Sequence, residues 1–224
     1  MLVNCLSLLE IYTNMPSPRT YCGGIAETNG YAFEAPDGWV AVDAPEGMRD
    51  WLSSNQLKPE ALLLTHMHFD HVMDAAVISA EFGCPVYAHS PLTPELHLGI
   101  LFSQFTGVAL DIPEFELAKP LEGEDSISIA GAEFVLLHVP GHSPDSVCFS
   151  LPGDDACVFA GDTLFQSGIG RTDFPGGDEA LLLSGIREKL LTLPESTRVY
   201  PGHGDPTTIQ AEKIGNPYVR LAEL

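Results

Sequence analysis

The spacing of apolar positions changes several times along the chain, and each change marks an element. In residues 5–43 it favours β-structure: Tyr31-Ala32-Phe33-Glu34 and Trp39-Val40-Ala41-Val42 flank Pro36-Asp37-Gly38, whose residues suit a hairpin turn. Residues 47–57 carry a short helical pattern with Trp51 and Leu52 inward, and Ala61-Leu62-Leu63-Leu64, after Pro59, reads as a strand. Val72, Met73, Ala76, Val77 and Ala80 recur at helical spacing and predict a helix over 70–82, stopped by Gly83. Asp70 suits the positive end of that helix's dipole. A strand at 85–88 follows. Prolines break up residues 90–120, where Leu98-Gly99-Ile100-Leu101-Phe102 predicts a helix or loop packed beside a cleft, open to reading as a lid or as a plain connection. Residues 126–130, 132–139, 146–151 and 156–160 alternate as antiparallel strands do. An amphipathic helix over 178–193, with Leu181, Leu182, Ile186, Leu190 and Leu191 on its apolar side, and a short helix over 207–214 close the chain. Two packed sheets with helices outside fit this order, an α+β arrangement.

Composition sets bounds on that picture. With 224 residues, 45% of them apolar, the chain can form one well-buried domain, and the expectation is a single domain over 1–224. The formal net charge of −21, with only 10 Lys and Arg, argues against nucleic acid, whose affinity rests on phosphate contacts. Five cysteines, odd in number and without a close pair, read as reduced thiols of a cytoplasmic protein. The start has apolar character but no basic region, no small-residue cleavage site and no apolar run of about 20 residues, so neither an export signal nor a membrane span is expected. A monomer or small homo-oligomer is the expected state.

The candidate chemistry is concentrated after the strand at 61–64, in Thr65-His66-Met67-His68-Phe69-Asp70-His71. Residues two apart in an extended segment point to the same side, so His66 and His68 can grip one ion. Asp70 and His71 come where the chain turns into a helix and can aim at a second ion. Imidazole and carboxylate are ordinary ligands for zinc and other first-row metals. Three more candidates sit in tight turns after strands: His142 in Pro140-Gly141-His142-Ser143-Pro144, Asp162 in Ala160-Gly161-Asp162-Thr163, and His203 in Pro201-Gly202-His203-Gly204. A glycine precedes each, where the backbone must turn sharply or approach a neighbour. His89, His97 and His138 lack this setting and read as ordinary surface or core residues, His138 with a candidate supporting role behind the ligands. Asp43 ends the second hairpin strand, where a cap or turn role is one reading.

Taken together, His66, His68, Asp70, His71, His142, Asp162 and His203 resemble the complete dinuclear signature of the metallo-β-lactamase superfamily, from about residue 20 to the C-terminus. Gly161-Asp162-Thr163-Leu164-Phe165 and Gly168-Ile169-Gly170-Arg171-Thr172-Asp173-Phe174 resemble glyoxalase II-like hydrolases, and the tail with Pro201-Gly202-His203-Gly204 and Asn216-Pro217 is similar to their short bacterial members. The resemblance implies a four-layer αββα sandwich and two divalent metal ions, zinc first and iron or manganese as alternatives. It places His66, His68 and His142 on one ion and Asp70, His71 and His203 on the other. Asp162 bridges them, so catalysis rests on Asp70 and Asp162. It also implies that Asp43 steadies the ligand loop.

The implied reaction is hydrolysis by a hydroxide bridging two ions, with a small anionic thioester such as S-lactoylglutathione as substrate. Arg171, with Thr172 beside it, is the candidate for holding a substrate carboxylate, because a guanidinium fork matches one. Against the full-length glyoxalase II that it resembles, the chain is expected to lack the helical extension that supplies glutathione contacts there. An iron-dependent persulfide dioxygenase using His66, His142 and Asp162, a lactonase and a non-catalytic metal-binding domain are the rivals.

Overall fold

Alternation along the strands sends successive side chains into two different cores. The computed structural model describes residues 17–220, so Cys5 and the opening apolar run lie outside the described residues. The first sheet contains β1 (Arg19–Gly23), β2 (Thr28–Ala35), β3 (Gly38–Val42), β4 (Pro59–Leu63), β5 (Val86–Ala88) and β6 (Lys119–Pro120), in that order. The second has the order β14-β13-β10-β9-β8-β7, from β7 (Ser126–Ile129), β8 (Ala132–His138), β9 (Val147–Leu151), β10 (Cys157–Gly161), β13 (Arg198–Pro201) and β14 (Thr207–Thr208). A small ribbon of β11 (Leu164–Phe165) and β12 (Gly168–Ile169) stands apart. The expected hairpin is present, with Glu34 opposite Trp39 and Ala35 opposite Gly38.

Tyr31, Phe33, Val40, Val42, Ala61 and Leu63 of the first sheet meet Phe134, Phe149, Phe159 and Tyr200 of the second in one buried cluster. Phe33 sits edge-on to Phe134 and Phe159, at 6.2 and 6.1 Å between centroids. Each fully buried aromatic or aliphatic side chain contributes about 1.5–3 kcal/mol. The intervening residues face outward into two further cores. Ala32, Ala41, Leu62 and Leu64 pack under α1 (Met48–Ser54) and α3 (Ala75–Phe82), while Cys148, Val158, Ala160 and Val199 pack under α6 (Glu179–Gly185) and α7 (Ile209–Gly215). Parallel neighbours need a crossover, which α1 provides between β3 and β4 and α6 between β10 and β13. The result is the four-layer αββα sandwich.

Three elements differ from the sequence expectation. The helix expected over 70–82 is two helices, α2 (Phe69–Val72) and α3, because Asp74 leaves the helical ladder. Its N–H donates to Ala44 O at 2.9 Å and its carboxylate accepts from Arg49 N at 2.9 Å. The helix expected over 178–193 starts as α6, capped by the Asp178 carboxylate, and then widens into a π-helical turn over Ile186–Leu190. Gly185 lies against Val139 there, so that helix can approach β8 closely. The helix expected over 207–214 begins only at Ile209, because Thr207 and Thr208 pair with β13. In residues 90–120 the chain forms α4 (Pro94–His97) and α5 (Gly99–Thr106), hinged at Leu98 with φ 56°. Among the described residues, no helix is long and apolar enough to cross a membrane.

Candidate metal centre

Four strand ends deliver seven side chains to one place. His66 and His68 follow β4, Asp70 and His71 lie in the first turn of α2, His142 lies between β8 and β9, and Asp162 and His203 follow β10 and β13. His68 Nδ1 and His142 Nε2 are 2.8 Å apart, and the His66 ring lies 4.5 and 5.0 Å from theirs. On the other side, His71 Nε2 and His203 Nε2 approach Asp70 Oδ2 at 3.5 and 3.4 Å. Asp162 lies between the groups: its Oδ1 is 3.3 Å from His71, and its Oδ2 is 3.4 Å from His142 and 3.3 Å from His203. Donor atoms fall into three overlapping groups, His66/His68/His142, His66/His71/Asp162 and Asp70/His71/His203, each within 4.8 Å.

Glycine is needed at the three turns that carry His142, Asp162 and His203. At Gly141, with φ 129°, a Cβ would strike the Asp178 carbonyl and Leu182 N. Gly161 has φ 50°, and a side chain there would strike Thr65. A Cβ at Gly202 would run into Asp162 Oδ1 and His71 Cε1.

His66 Nε2, His71 Nε2 and Asp162 Oδ1 are buried without a hydrogen-bond partner. Leaving one such atom unsatisfied costs about 1–3 kcal/mol, so three converging on one point mark a place built for something absent from the polypeptide. Imidazole and carboxylate donors in this arrangement fit divalent metal ions. Without metal the two halves differ. Burial, then neighbouring His71 and His68, holds His66 well below the usual imidazole range. Burial also brings His68 down to about 3. At His203, burial is outweighed by hydrogen bonds to Asp162 and Asp70, and its pKa rises to about 10. His71 is likewise raised: burial opposes protonation, but Asp70, Asp43 and Asp162 outweigh it. Asp70 falls to about 2, because His71 and the His203 and Thr28 hydrogen bonds overcome burial.

Buried partners aim the clustered side chains. Asp43, in the left-handed region at φ 57°, accepts from Thr65 N at 2.8 Å and from Thr65 Oγ1, and lies 2.9 Å from His71 Nδ1. It therefore fixes the proton of His71 on Nδ1 and leaves Nε2 facing the cluster. A non-glycine residue held at that φ is strained, and here the strain sits beside the site. His142 Nδ1 donates to the Arg171 carbonyl at 2.8 Å. Sequence reasoning did not identify Thr28, whose hydroxyl donates to Asp70 Oδ2 at 2.6 Å. It also missed Asn29, which holds the His203 turn through Pro201 O at 3.1 Å and Gly204 O at 2.8 Å. Buried Glu212 accepts from Ser167 N at 2.9 Å, and Asn216 donates to Gly168 O at 2.9 Å, tying the tail to the β11–β12 ribbon. The only advance signal was polarity at strand and helix positions that the fold buries.

Arg171 and Thr172 follow β12 on the loop beside His142. The Arg171 fork is engaged by Asp173, with Nε–Oδ1 and Nη2–Oδ2 both at 2.6 Å, and its Cζ lies 3.8 Å from the centroid of the Phe174 ring. Thr172 is half-buried. His89 and His138 stack on each other at 4.1 Å, and His138 Nε2 donates to Pro144 O at 2.8 Å, behind the His142 turn. His97 Nδ1 accepts from Gly99 N. None of these three histidines joins the cluster.

Comparisons with known proteins agree with this geometry. Hydroxyacylglutathione hydrolase GloC of Haemophilus influenzae is 38% identical over 170 residues, covering 73% of this chain and 77% of its own. The BLEG-1 B3 metallo-beta-lactamase superposes with TM-score 0.81 and 38% identity over 91% of this chain and 99% of its own. The protein TTHA1623, solved in a di-iron-bound form, gives 0.75 and 36% over 89% and 99%. The model of the metallo-beta-lactamase superfamily matches residues 28–203, which include all seven clustered side chains. With that match, the sandwich and the His/Asp cluster on one chain, this protein belongs to the metallo-beta-lactamase superfamily.

Proposed function

We propose that the chain is a dinuclear metal-dependent hydrolase that cleaves a small anionic thioester, adding water to give a carboxylic acid and a thiol. The observation that carries this reading is Asp162, whose carboxylate lies within reach of both halves of the cluster, Oδ2 beside His142 and His203 and Oδ1 beside His71. His66, His68 and His142 would hold one ion, Asp70, His71 and His203 the other, and Asp162 both. Two divalent ions held there would supply Lewis acidity and a water acidified enough to react near neutral pH. The chain's own part is orientation: Asp43 and the Arg171 carbonyl set the proton positions of His71 and His142, and Thr28 holds Asp70.

Zinc is the proposed ion, because the nitrogen and oxygen donors suit it; iron is the alternative, given a similar protein in a di-iron form. S-lactoylglutathione is the first substrate to test, given the likeness to GloC. We place the reaction in the cytoplasm, a reading supported by four described cysteines that are all free thiols. The test is thiol release from S-lactoylglutathione under anaerobic conditions by chain loaded with zinc, iron or manganese. Release without oxygen is expected. Oxygen uptake with glutathione persulfide and no thioester cleavage would replace the hydrolase with a dioxygenase.

A further inference from the structure

A cavity of about 430 Å³ opens beside the metal cluster, within the range of about 300–1,000 Å³ usual for small-molecule sites. Its walls are Leu98, Leu101, Phe102 and Phe105 on one side and Phe69 and Phe174 on the other. Phe69 directly precedes Asp70 and packs against Phe102, with centroids 4.7 Å apart and ring planes tilted by 47°. The Phe174 ring stands 6.3 Å from that of His68. Phe105 is 80% exposed although it faces the cavity. The charged groups at the rim, Arg171 and Asp173, already satisfy one another. A carboxylate arriving there would have to displace Asp173 and gain little, whereas an apolar group would remove aromatic and aliphatic surface from water.

We propose that the substrate carries an unbranched apolar chain, which lies in this cavity while the bond to be hydrolysed sits at the cluster. This rests on the hydrolase reading above and narrows its substrate class to thioesters with an apolar chain on the acyl or the thiol side, any negative charge lying away from this cavity. Phe69 and Phe174 line the cavity, the first bonded to Asp70 and the second with its ring 6.3 Å from that of His68, so a chain lying there would end beside the cluster. Residues 94–106 then serve as the substrate wall of the cleft.

The test uses the full metal-loaded chain and acetyl, butyryl, hexanoyl and octanoyl thioesters of one small polar thiol. A mirrored series holds acetyl constant and lengthens an alkyl thiol. In one of the two series kcat/KM should rise about fourfold per methylene until the cavity is filled. Phe105→Asp, at an exposed position that folding does not need, should flatten that slope, and Phe102→Ala should flatten it further. Calorimetry on the metal-loaded chain with non-cleavable alkyl thioethers supplies a readout independent of turnover, and Kd should fall with length in the same proportion. A flat response in both kinetic series, with thioesters still cleaved, overturns the apolar-chain assignment and leaves the hydrolase. No cleavage of any thioester, with length-dependent binding retained, removes the thioesterase reading and keeps the cavity's assignment.

Discussion

The two walls of the cleft are built on different principles. On the metal side, Asp43, Thr65, Thr28 and Asn29 are buried and each hydrogen-bonds either a ligand or the turn that carries one. On the other side, Arg171 is 55% exposed and its partner, Asp173, lies two residues away on the same loop. Phe105 and Ile100 of α5 face solvent. A side chain held by several buried partners cannot change without loss elsewhere. A side chain satisfied within its own loop can. The metal side therefore suits chemistry shared across a superfamily, and the opposite wall suits a substrate particular to this chain.

The sharpest way to break that contrast is at Asp162, whose carboxylate lies 3.3–3.4 Å from donors in both halves of the cluster. Replacing a residue behind a ligand typically costs about 10–100-fold in metal affinity or activity, so removing this carboxylate should cost more than about 100-fold. Asp162→Ala should leave no more than one ion per chain by elemental analysis. Two ions retained with full activity would remove Asp162 from the centre.

Asp43 probes the layer behind. Asn tolerates the left-handed backbone at φ 57°, so Asp43→Asn spares the turn while exchanging a carboxylate for an amide opposite His71 Nδ1. Metal affinity should fall about 10–100-fold, and the metal-free protein should also melt lower, because Asp43 is the buried acceptor for Thr65 and His71. Wild-type affinity would show that Asp43 is only a turn residue.

Protons distinguish the two halves of the centre. His203, raised to about 10, and His71, also raised, are protonated in metal-free chain at neutral pH and must lose those protons to bind an ion. His66 and His68, both lowered, are already neutral. Affinity for the ion on the Asp70/His71/His203 side should therefore rise with pH toward about 10, by at most about tenfold per unit for each proton released. The first ion should load on the His66/His68/His142 side. Titration calorimetry in buffers of different ionisation enthalpy counts the protons. Full release with the first ion would reverse the order.

How much of this could be read in advance follows the same division. Every clustered side chain lies in the turn or first helical turn that follows an apolar strand, so its chemistry and backbone setting are local and legible. Thr28 meets Asp70 from 42 residues away, and Asn29 meets Pro201 from 172 away. No pattern within either segment announces those contacts. Asp74 breaks the expected helix for the same reason, since its partners are Ala44 and Arg49. The cavity wall was the least legible part, because a half-exposed amphipathic segment between prolines looks alike whether it lines a site or only connects strands. Arg171 is legible as a residue of the cleft, but nothing in the spacing announces that Asp173, two residues on, occupies its fork.

Arg171 gives the smallest expected effect and the finest test. Its carbonyl orients His142, a role that any residue at this position retains, so Arg171→Ala should keep its metal. Its guanidinium lies in an exposed pair with Asp173, and exposed pairs are worth about 0.2–1 kcal/mol, so kcat/KM should fall no more than about fivefold. Arg171→Lys should behave similarly, since no bidentate contact with substrate is lost. A substrate carboxylate held by this fork would predict otherwise, because a charge-assisted hydrogen bond is worth about 1.5–3 kcal/mol. In that case KM for an anionic thioester would rise about 10- to 150-fold, with kcat and metal content preserved and neutral esters spared. Steady-state kinetics of Arg171→Ala on matched anionic and neutral thioesters therefore decides whether the guanidinium leaves Asp173 for substrate. A small, equal loss on both keeps Arg171 as the rim of an apolar cavity, and a large loss confined to the anion makes it the specificity residue.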